Sequence, residues 1–261
     1  MIPRAFVTEW QHTAPWVADE QIEQDLILSR ILVEIYQNDF IQEHLIFRGG
    51  TALNKLYFPS PVRYSEDLDF VQITAGPIKD IVKTIQSIID PWLGKSSTES
   101  RKDGFRIYYS FIPENDSEGK KRIKIEINTR EHFSVFPIKE TKFDVKSQWF
   151  TGECTLKTYE LAEMLGTKMR ALYQRKKGRD LFDIDWSLKH HNLVYKDIVN
   201  SFHEYMEFGG HSVTSELYLA NLEKKLNNVV FCNDINNFTR SDIEYDIHNA
   251  FENIKELIEL I

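Results

Sequence analysis

Cysteine is scarce in this sequence, with only Cys154 and Cys232 among 261 residues. The two lie far apart and form no metal-ligand spacing, so we expect reduced thiols of the kind found in cytosolic proteins. Long apolar runs are also missing, since none approaches the roughly 18 residues that a membrane-spanning helix needs. The first residues lack the basic-then-apolar layout of a secretion signal. These absences predict a cytoplasmic protein with no membrane partner.

Positive charge is in the minority, because 32 Lys and Arg stand against 40 Asp and Glu, for a formal net charge of −8. A general nucleic-acid binder usually has a basic surface, so the composition argues against that class. Two local basic clusters remain, at residues 120–122 and 175–179. The hydrophobic share of 42% and the aromatic share of 13% are typical of a folded globular chain and exclude a disordered one.

The hydrophobic pattern divides the chain into an α/β part, residues 1–150, and a helical part, residues 151–261. The elements predicted for the first part are a helix over 19–38, a strand over 45–47, a helix over 52–57 capped by Thr51, a strand over 68–73, a helix over 78–89 stopped by Pro91, and strands over 105–112 and 123–127 joined by a polar turn over 113–119. From about Gly152 the pattern is mostly helical. The expected fold is an α/β (α+β) core with a mixed sheet, followed by helices.

Two carboxylates lie one residue apart on the strand predicted over 68–73. Successive side chains of a strand point to opposite faces, so Asp67 and Asp69 share one face while Leu68 and Phe70 share the other. Like charges this close repel each other unless a cation lies between them, and Mg²⁺ or Mn²⁺ prefers such oxygen ligands. A solvated strand face or a helix cap is the alternative.

Two further features could complete such a site. The strand over 123–127 alternates, so Glu126 could supply a third carboxylate, although a charged outer face of an edge strand has the same pattern. Gly49, Gly50 and Thr51 join a strand to a helix start, where backbone N–H groups bind phosphate. An ordinary turn is the alternative there, and the segment is not a Walker A loop because no Lys-Ser or Lys-Thr follows the second glycine.

The segment 160–185 places cations on an apolar helix face. On a helical wheel, Lys168 falls between leucines, and the same stripe continues into Arg175 and Arg179 unless Gly178 interrupts the helix. An unpaired buried ammonium is costly, so Lys168 needs an anion. That anion is either a nucleotide phosphate or a core carboxylate, with Asp180 and Asp183 as the candidates.

Four segments, in this order, resemble the successive motifs of the AbiEii/AbiGii-type toxin nucleotidyltransferases, which belong to the DNA polymerase β-like superfamily. The segments are GGTAL at 49–53, RYSEDLDF at 63–70, KIEIN at 124–128 and KMRALYQRKKGRDLFDI at 168–184. Any one of these motifs is weak alone, but their combination is specific. The resemblance covers residues 47–184 and implies a polymerase β-like nucleotidyltransferase core.

The resemblance also implies a role for individual residues. The metal ligands would be Asp67 and Asp69, with Glu126 as the third acid of the wider superfamily. The residues expected at the nucleotide are Gly49, Gly50, Thr51, Ser65, Lys168 and Arg175. Asp67, Asp69, Lys168 and Asp180 would be the catalytic set. Gly-Gly-Thr replaces the glycine-serine pair of the superfamily and keeps a hydroxyl at the helix start.

The function that the resemblance implies is transfer of a nucleoside monophosphate from an NTP, with Mg²⁺ or Mn²⁺, to an acceptor. The expected acceptor is the 3′ end of tRNA, and the expected context is a toxin with a cognate antitoxin or a system of abortive phage infection. Two alternatives stay open: transfer to a small molecule or a protein hydroxyl, and a nucleotide-binding module that binds a partner protein without transfer. A third alternative is a purely structural α/β protein.

Overall fold

A computed structural model describes residues 2–115, 119–236 and 238–261. The chain forms two compact units, of which the first comprises Met1–Phe133 and Ile138–Tyr159 and the second comprises Ser134–Pro137 and Glu160–Ile261. In the described part of the chain, no helix is long and apolar enough to cross a membrane.

The first unit is built on a mixed sheet, in which seven strands are found among the described residues. The strands are β1 Leu45–Arg48, β2 Asp67–Gln72, β3 Ser97–Ser100, β4 Gly104–Phe111, β5 Lys121–Asn128, β6 Lys139–Lys146 and β7 Thr151–Thr158. Their order is β3-β4-β5-β2-β1-β7-β6, with β2 parallel to β5, β1 parallel to β7 and the other neighbours antiparallel. The two central strands, β2 and β1, are those that the sequence predicts on either side of the glycine motif.

The alternation of apolar and polar residues explains which face of the sheet is buried. In β5, Ile123, Ile125 and Ile127 are fully buried, while Lys124 and Glu126 between them are partly exposed. At the outer edge, β6 has charged residues at most of its exposed positions, which discourages pairing with another chain.

Helices cover this sheet and lead into it. They are α1 Arg4–Trp10, α2 Asp19–Tyr36, α3 Asp39–His44, α4 Gly49–Ala52, which continues as a π-helical turn over Leu53–Tyr57, and α5 Lys79–Leu93. The helix predicted over 19–38 is confirmed, and it packs against β6, β7 and α5.

The second unit is helical. Its helices are α6 Leu161–Gln174, α7 Gly178–His190, α8 Tyr195–Phe208, α9 Ser215–Leu226, α10 Val229–Asn233 and α11 Ile247–Ile258. The short segment 134–137 joins this unit because the buried Glu163 of α6 accepts the N–H groups of Val135 and Phe136, each at 3.0 Å.

Local signals misplace two boundaries. Pro91 lies inside α5, in its last turn, and the helix ends two residues later where Gly94 N–H donates to the Asp90 carbonyl. Residues 151–158, expected in the helical part, form β7, because pairing with both β1 and β6 outweighs a weak local pattern. The strands β4 and β5 pair as predicted, but residues 116–118 of the expected turn lie outside the described residues.

Candidate active site

The two aspartates lie side by side on one face of the central strand β2. Asp67 and Asp69 are partly exposed, while Leu68 and Phe70 are buried on the other face, so the predicted alternation is confirmed. The parallel neighbour β5 places Lys124 opposite Asp67 and Glu126 opposite Asp69. Four charged side chains therefore share one patch of the sheet.

Ion pairs connect this patch across three strands. The Lys124 Nζ lies 3.0 Å from Asp67 Oδ2 and 2.8 Å from Glu126 Oε2. The other Glu126 oxygen, Oε1, accepts from Arg106 Nη2 of β4 at 3.0 Å. The carboxylate of Glu126 is thus held between two cations, and the ammonium of Lys124 is shared by two carboxylates.

Burial and neighbouring charges shift these groups in different directions. Burial raises the pKa of Asp67 to about 6 from its ordinary value of 3.8, with a contribution from the charge of Asp69 and against the attraction of Lys124. Burial would also raise the pKa of Glu126, but hydrogen bonds from Arg106 and Lys124 hold it below its usual range. The negative charge of Asp67 is therefore less well compensated than that of Glu126.

The start of α4 lies directly against the aspartates. Gly49 has a φ of 85°, which L side chains rarely adopt, and a Cβ built there would lie only 2.3 Å from Asp69 Oδ2. The strand β1 enters this turn with Arg48 opposite Asp69. Glycine at position 49 is thus required both by the backbone conformation and by the close approach of the Asp69 carboxylate.

Two hydroxyls tie the first turn of α4 to the segment that enters β2. The Thr51 hydroxyl lies 2.8 Å from Ser65 Oγ and donates to the Asp67 carbonyl oxygen. Thr51 is 2% exposed and lies inside the helix, which begins at Gly49, so its predicted capping role is wrong. Because the hydroxyls of Thr51 and Ser65 bind each other, their expected contact with nucleotide stays a prediction.

A buried arginine beside the glycines was not predicted. Arg63 is 2% exposed, and a Cβ built on Gly50 would lie 2.3 Å from its Nη2. Its Nη1 donates to the Tyr64 carbonyl at 3.1 Å. The second glycine of the motif thus makes room for a guanidinium at the start of α4, and RYSEDLDF carries the residue that fills this space.

In the second unit, the helix predicted over 160–185 is interrupted. The helix α6 ends at Gln174, Arg175 is extended, and α7 begins at Gly178. The helical wheel therefore holds for Lys168 but is wrong for Arg175 and Arg179, which do not continue the stripe of α6. The chain reverses instead, and this brings the start of α7 beside Lys168.

The reversal builds a buried ion cluster. The Lys168 Nζ lies 3.1 Å from Asp180 Oδ1 and 2.8 Å from Asp183 Oδ2, and both aspartates are fully buried. The Arg175 guanidinium binds Asp180 through two hydrogen bonds, of 2.7 and 2.8 Å. Burial would raise the pKa of Asp180, but Lys168 and Arg175 hold it well below its usual range. The anion that Lys168 requires is supplied here by core carboxylates, one of the two outcomes left open by the sequence.

The two cations of this cluster differ in exposure. The Lys168 side chain is 10% exposed and the Arg175 side chain is 54% exposed. Arg175 therefore has the larger solvent-facing surface, while the Lys168 ammonium is enclosed by acids. The catalytic roles expected of Lys168 and Asp180 stay predictions.

The aspartate pair offers the oxygen ligands that Mg²⁺ prefers. Among the residues that the structure describes, no three His, Cys, Asp or Glu side chains form a group that could hold a metal ion by themselves. Mg²⁺ in nucleotide enzymes is commonly held by one or two carboxylates plus substrate phosphates. Asp67 and Asp69 lie on the same face of β2 and offer carboxylate oxygens, so their chemistry fits such an ion, and the Lys124 ammonium lies 3.0 Å from Asp67 Oδ2. Glu126 is bound to cations on both oxygens, and its role as a ligand stays a prediction.

Lys124 and Arg106 are the residues of this patch that the sequence did not single out. Lys124 stands within the KIEIN motif, and the alternation of β5 already places it on the same face as Glu126. The sequence does not specify the register between β2 and β5, which places Lys124 beside Asp67 although the two residues are far apart in the chain.

The mixed sheet presents two neighbouring carboxylates against a glycine-led helix start, and solved structures of nucleotidyltransferases have the same overall fold. Solved structures support the fold. MenT4, the nucleotidyltransferase toxin Rv2826c from Mycobacterium tuberculosis H37Rv, superposes with a TM-score of 0.65 at 16% identity over 100% of this chain and 89% of that one.

Two Helicobacter pylori structures have the same fold. A candidate nucleotidyltransferase has a TM-score of 0.59 at 16% identity, over 94% of this chain and 95% of its own. The protein JHP933 has a TM-score of 0.54 at 15% identity, over 93% and 92%. At these identities the likeness extends to the fold alone. No curated protein matches the chain.

The family model of the nucleotidyl transferase AbiEii toxin, of type IV toxin–antitoxin systems, matches residues 30–256. The chain therefore belongs to the AbiEii nucleotidyl transferase toxin family, and it is a nucleotidyltransferase of the kind that the four sequence motifs predict.

Proposed function

We propose that this nucleotidyltransferase transfers a nucleoside monophosphate from an NTP to a hydroxyl group with the help of a divalent metal ion bound by Asp67 and Asp69. One observation supports this more than any other: the two carboxylates lie next to each other on β2, with the start of α4 packed against Asp69. A triphosphate needs both features, a metal site and backbone N–H donors, at the same place.

The chemistry is an in-line displacement at the α-phosphorus. The acceptor oxygen forms a bond to that phosphorus, the bond to the bridging α,β-oxygen breaks, pyrophosphate leaves with the electron pair, and the hydroxyl proton passes to a base or to water. A bound Mg²⁺ or Mn²⁺ would stabilise the entering and leaving oxygens. The chain's own contribution is to hold the two aspartates on a rigid strand and to aim the N–H groups of Gly49 and Gly50 at the phosphates.

For the second unit, the proposal keeps the roles that the family pattern implies. Lys168 and Arg175 are phosphate-binding cations, and Asp180 is a further functional acid that orients both of them. The bidentate pair of Arg175 with Asp180 supports an orienting role, since it fixes the plane of a guanidinium whose side chain is 54% exposed.

The acceptor that we propose is the 3′ end of tRNA, and the biological role is that of a toxin held in check by a cognate antitoxin, acting in toxin–antitoxin control or abortive phage infection. Membership in the toxin family supports the role. Local cations at 120–122 and 175–179 support an RNA acceptor, because phosphate contacts need them even on a chain of net charge −8.

The test is transfer of labelled nucleotide from each NTP to purified tRNA, with Mg²⁺ and with a chelator. Wild-type protein should label tRNA only with the metal, and the double variant Asp67→Asn, Asp69→Asn should lose labelling while it keeps its fold. Asp144→Asn is a matched control, since Asp144 also lies on a strand of the first unit and pairs with Lys146 on β6. Undiminished transfer by the double variant contradicts the metal assignment.

The same experiment separates the alternatives. Label that appears on a small molecule or on a protein, but not on tRNA, shows another acceptor. NTP binding without any transfer shows a non-transferring module. A separate measurement of tRNA affinity at increasing salt concentration tests the RNA acceptor. Phosphate contacts release counterions, so an affinity that does not fall as salt rises argues against RNA.

A further inference from the structure

Lys124 occupies an unusual position for a cation beside proposed metal ligands. Its Nζ lies 3.0 Å from Asp67 Oδ2, the distance of a direct ion pair. The strand register fixes this neighbour, since Lys124 is directly opposite Asp67 on the adjacent parallel strand. An ammonium built into β5 thus binds one carboxylate oxygen of Asp67, which is a proposed metal ligand.

The electrostatics of β2 explain why a cation is needed there. Asp67 and Asp69 are like charges on one face of a strand, and their repulsion destabilises the folded protein when no cation is bound. Lys124 reduces this repulsion, because its ammonium is paired with Asp67 at 3.0 Å and with Glu126 at 2.8 Å. A carboxylate oxygen that accepts from an ammonium cannot at the same time give that lone pair to a metal ion.

Glu126 holds the same ammonium from the other side. Its Oε2 lies 2.8 Å from Lys124 Nζ, and its Oε1 is bound by Arg106. Arg106 therefore fixes the carboxylate of Glu126 on the sheet. Lys124 can then remain paired with Glu126 when another cation binds Asp67. This arrangement differs from that of a third metal ligand, whose oxygens would have to face the metal.

We propose that Lys124 is a built-in counter-ion which competes with the divalent metal for Asp67, and that Glu126 is a positioning residue that retains Lys124 when the metal displaces it. The inference rests on the proposed function, in which Asp67 and Asp69 bind the metal. It assigns Lys124, the cation of the KIEIN motif, to control of metal occupancy, and it makes Glu126 act through Lys124.

The first experiment measures binding of Mn²⁺ alone, from the loss of the free-ion electron paramagnetic resonance signal. Lys124→Gln removes the charge but keeps a side chain that can donate to both carboxylates, and it should bind Mn²⁺ about tenfold more tightly than wild type, as judged from the initial slope of bound ion. Lys124→Arg keeps the charge and should restore wild-type binding. Lys121→Gln is the matched control on the same strand, because Lys121 pairs with Glu20.

Thermal unfolding gives a second readout that needs no activity. Without divalent metal, Lys124→Gln should unfold at a lower temperature than wild type, since Asp67 and Asp69 then lack their counter-ion. Addition of Mg²⁺ should raise its unfolding temperature by more than it raises that of wild type or Lys121→Gln. Equal Mn²⁺ binding and equal Mg²⁺ response in Lys124→Gln and wild type would overturn the counter-ion role.

A double-mutant cycle decides between the two roles of Glu126. If Glu126 acts through Lys124, Glu126→Gln should weaken Mn²⁺ binding severalfold in the wild-type background and have no effect in the Lys124→Gln background. If Glu126 is a metal ligand, the loss should be the same in both backgrounds, and the positioning role is then wrong.

The failure of this inference is distinguishable from the failure of the proposed function. Asp67→Asn, Asp69→Asn should abolish specific Mn²⁺ binding whatever Lys124 does. If that double variant binds Mn²⁺ like wild type, the metal assignment itself fails, and the role of Lys124 fails with it. If it loses binding while Lys124→Gln equals wild type, only the present inference is wrong.

Discussion

Replacement of Asp67 by Asn should stabilise the protein at neutral pH while it abolishes transfer. Burial raises the pKa of Asp67 to about 6 from an ordinary value of 3.8, so the ionised form is disfavoured in the folded state. A shift of one pKa unit corresponds to about 1.4 kcal/mol, which sets an upper limit of about 3 kcal/mol for the cost of this charge. The side chain is 32% exposed, so solvent screening reduces the expected gain to about 1–2 kcal/mol.

The gain should depend on pH with a defined sign. A carboxyl group whose pKa is higher in the folded state than in the unfolded state binds protons more tightly when folded, so its unfavourable contribution appears as the pH rises from about 4 to about 6. Asp67→Asn should therefore match wild type below about pH 4 and exceed it in stability above about pH 6. Lys124 keeps Glu126 as a partner in the variant, which limits the loss from the broken ion pair.

The measurement is thermal unfolding by circular dichroism in a chelating buffer, at about pH 4 and at about pH 7.5. For a chain of this size, about 1–2 kcal/mol corresponds to a rise of roughly 2–8 °C at the higher pH. Asp144→Asn, on the exposed strand β6, should show no such pH-dependent gain. If Asp67→Asn is less stable than wild type at pH 7.5, the carboxylate is favourable in the fold and the reasoning from burial is wrong.

Other substitutions test the rest of the site. Gly49→Ala should lower the free energy of unfolding by about 1–3 kcal/mol, because the positive φ is strained and the new Cβ would lie 2.3 Å from Asp69 Oδ2. Gly94→Ala is the control, since Gly94 has a φ of 88° but open space around it. In the same denaturant titration it should lose only the stability that the strained backbone costs. Equal losses in the two variants would mean that the approach to Asp69 is unimportant. Lys168→Met should lower the free energy of unfolding by about 3–5 kcal/mol, since it leaves the buried Asp183 without this cation. Asp183→Asn added to the same chain should recover part of this stability in urea unfolding. No recovery would contradict the ion-pair explanation.

The sequence by itself determined the features that depend on local periodicity and on motif order. The alternation around Asp67 and Asp69 places both carboxylates on one face of a strand whatever the rest of the chain does. Two adjacent glycines after an apolar run predict a strand-to-helix junction, and α4 begins there. The position of Lys168 on an apolar helix face already required a nearby anion, because an isolated buried ammonium is too costly.

Only the tertiary structure decided which groups meet. The counter-ion of Asp67 comes from β5, and nothing in the sequence near Asp67 specifies that register, because strand pairing joins distant segments. The break between α6 and α7 converts a predicted stripe of cations into a cluster in which Asp180 and Asp183 surround Lys168. Residues 151–158 become a strand through their neighbours β1 and β6. In each case the deciding energy is a contact between segments far apart in the chain, which a local pattern does not contain.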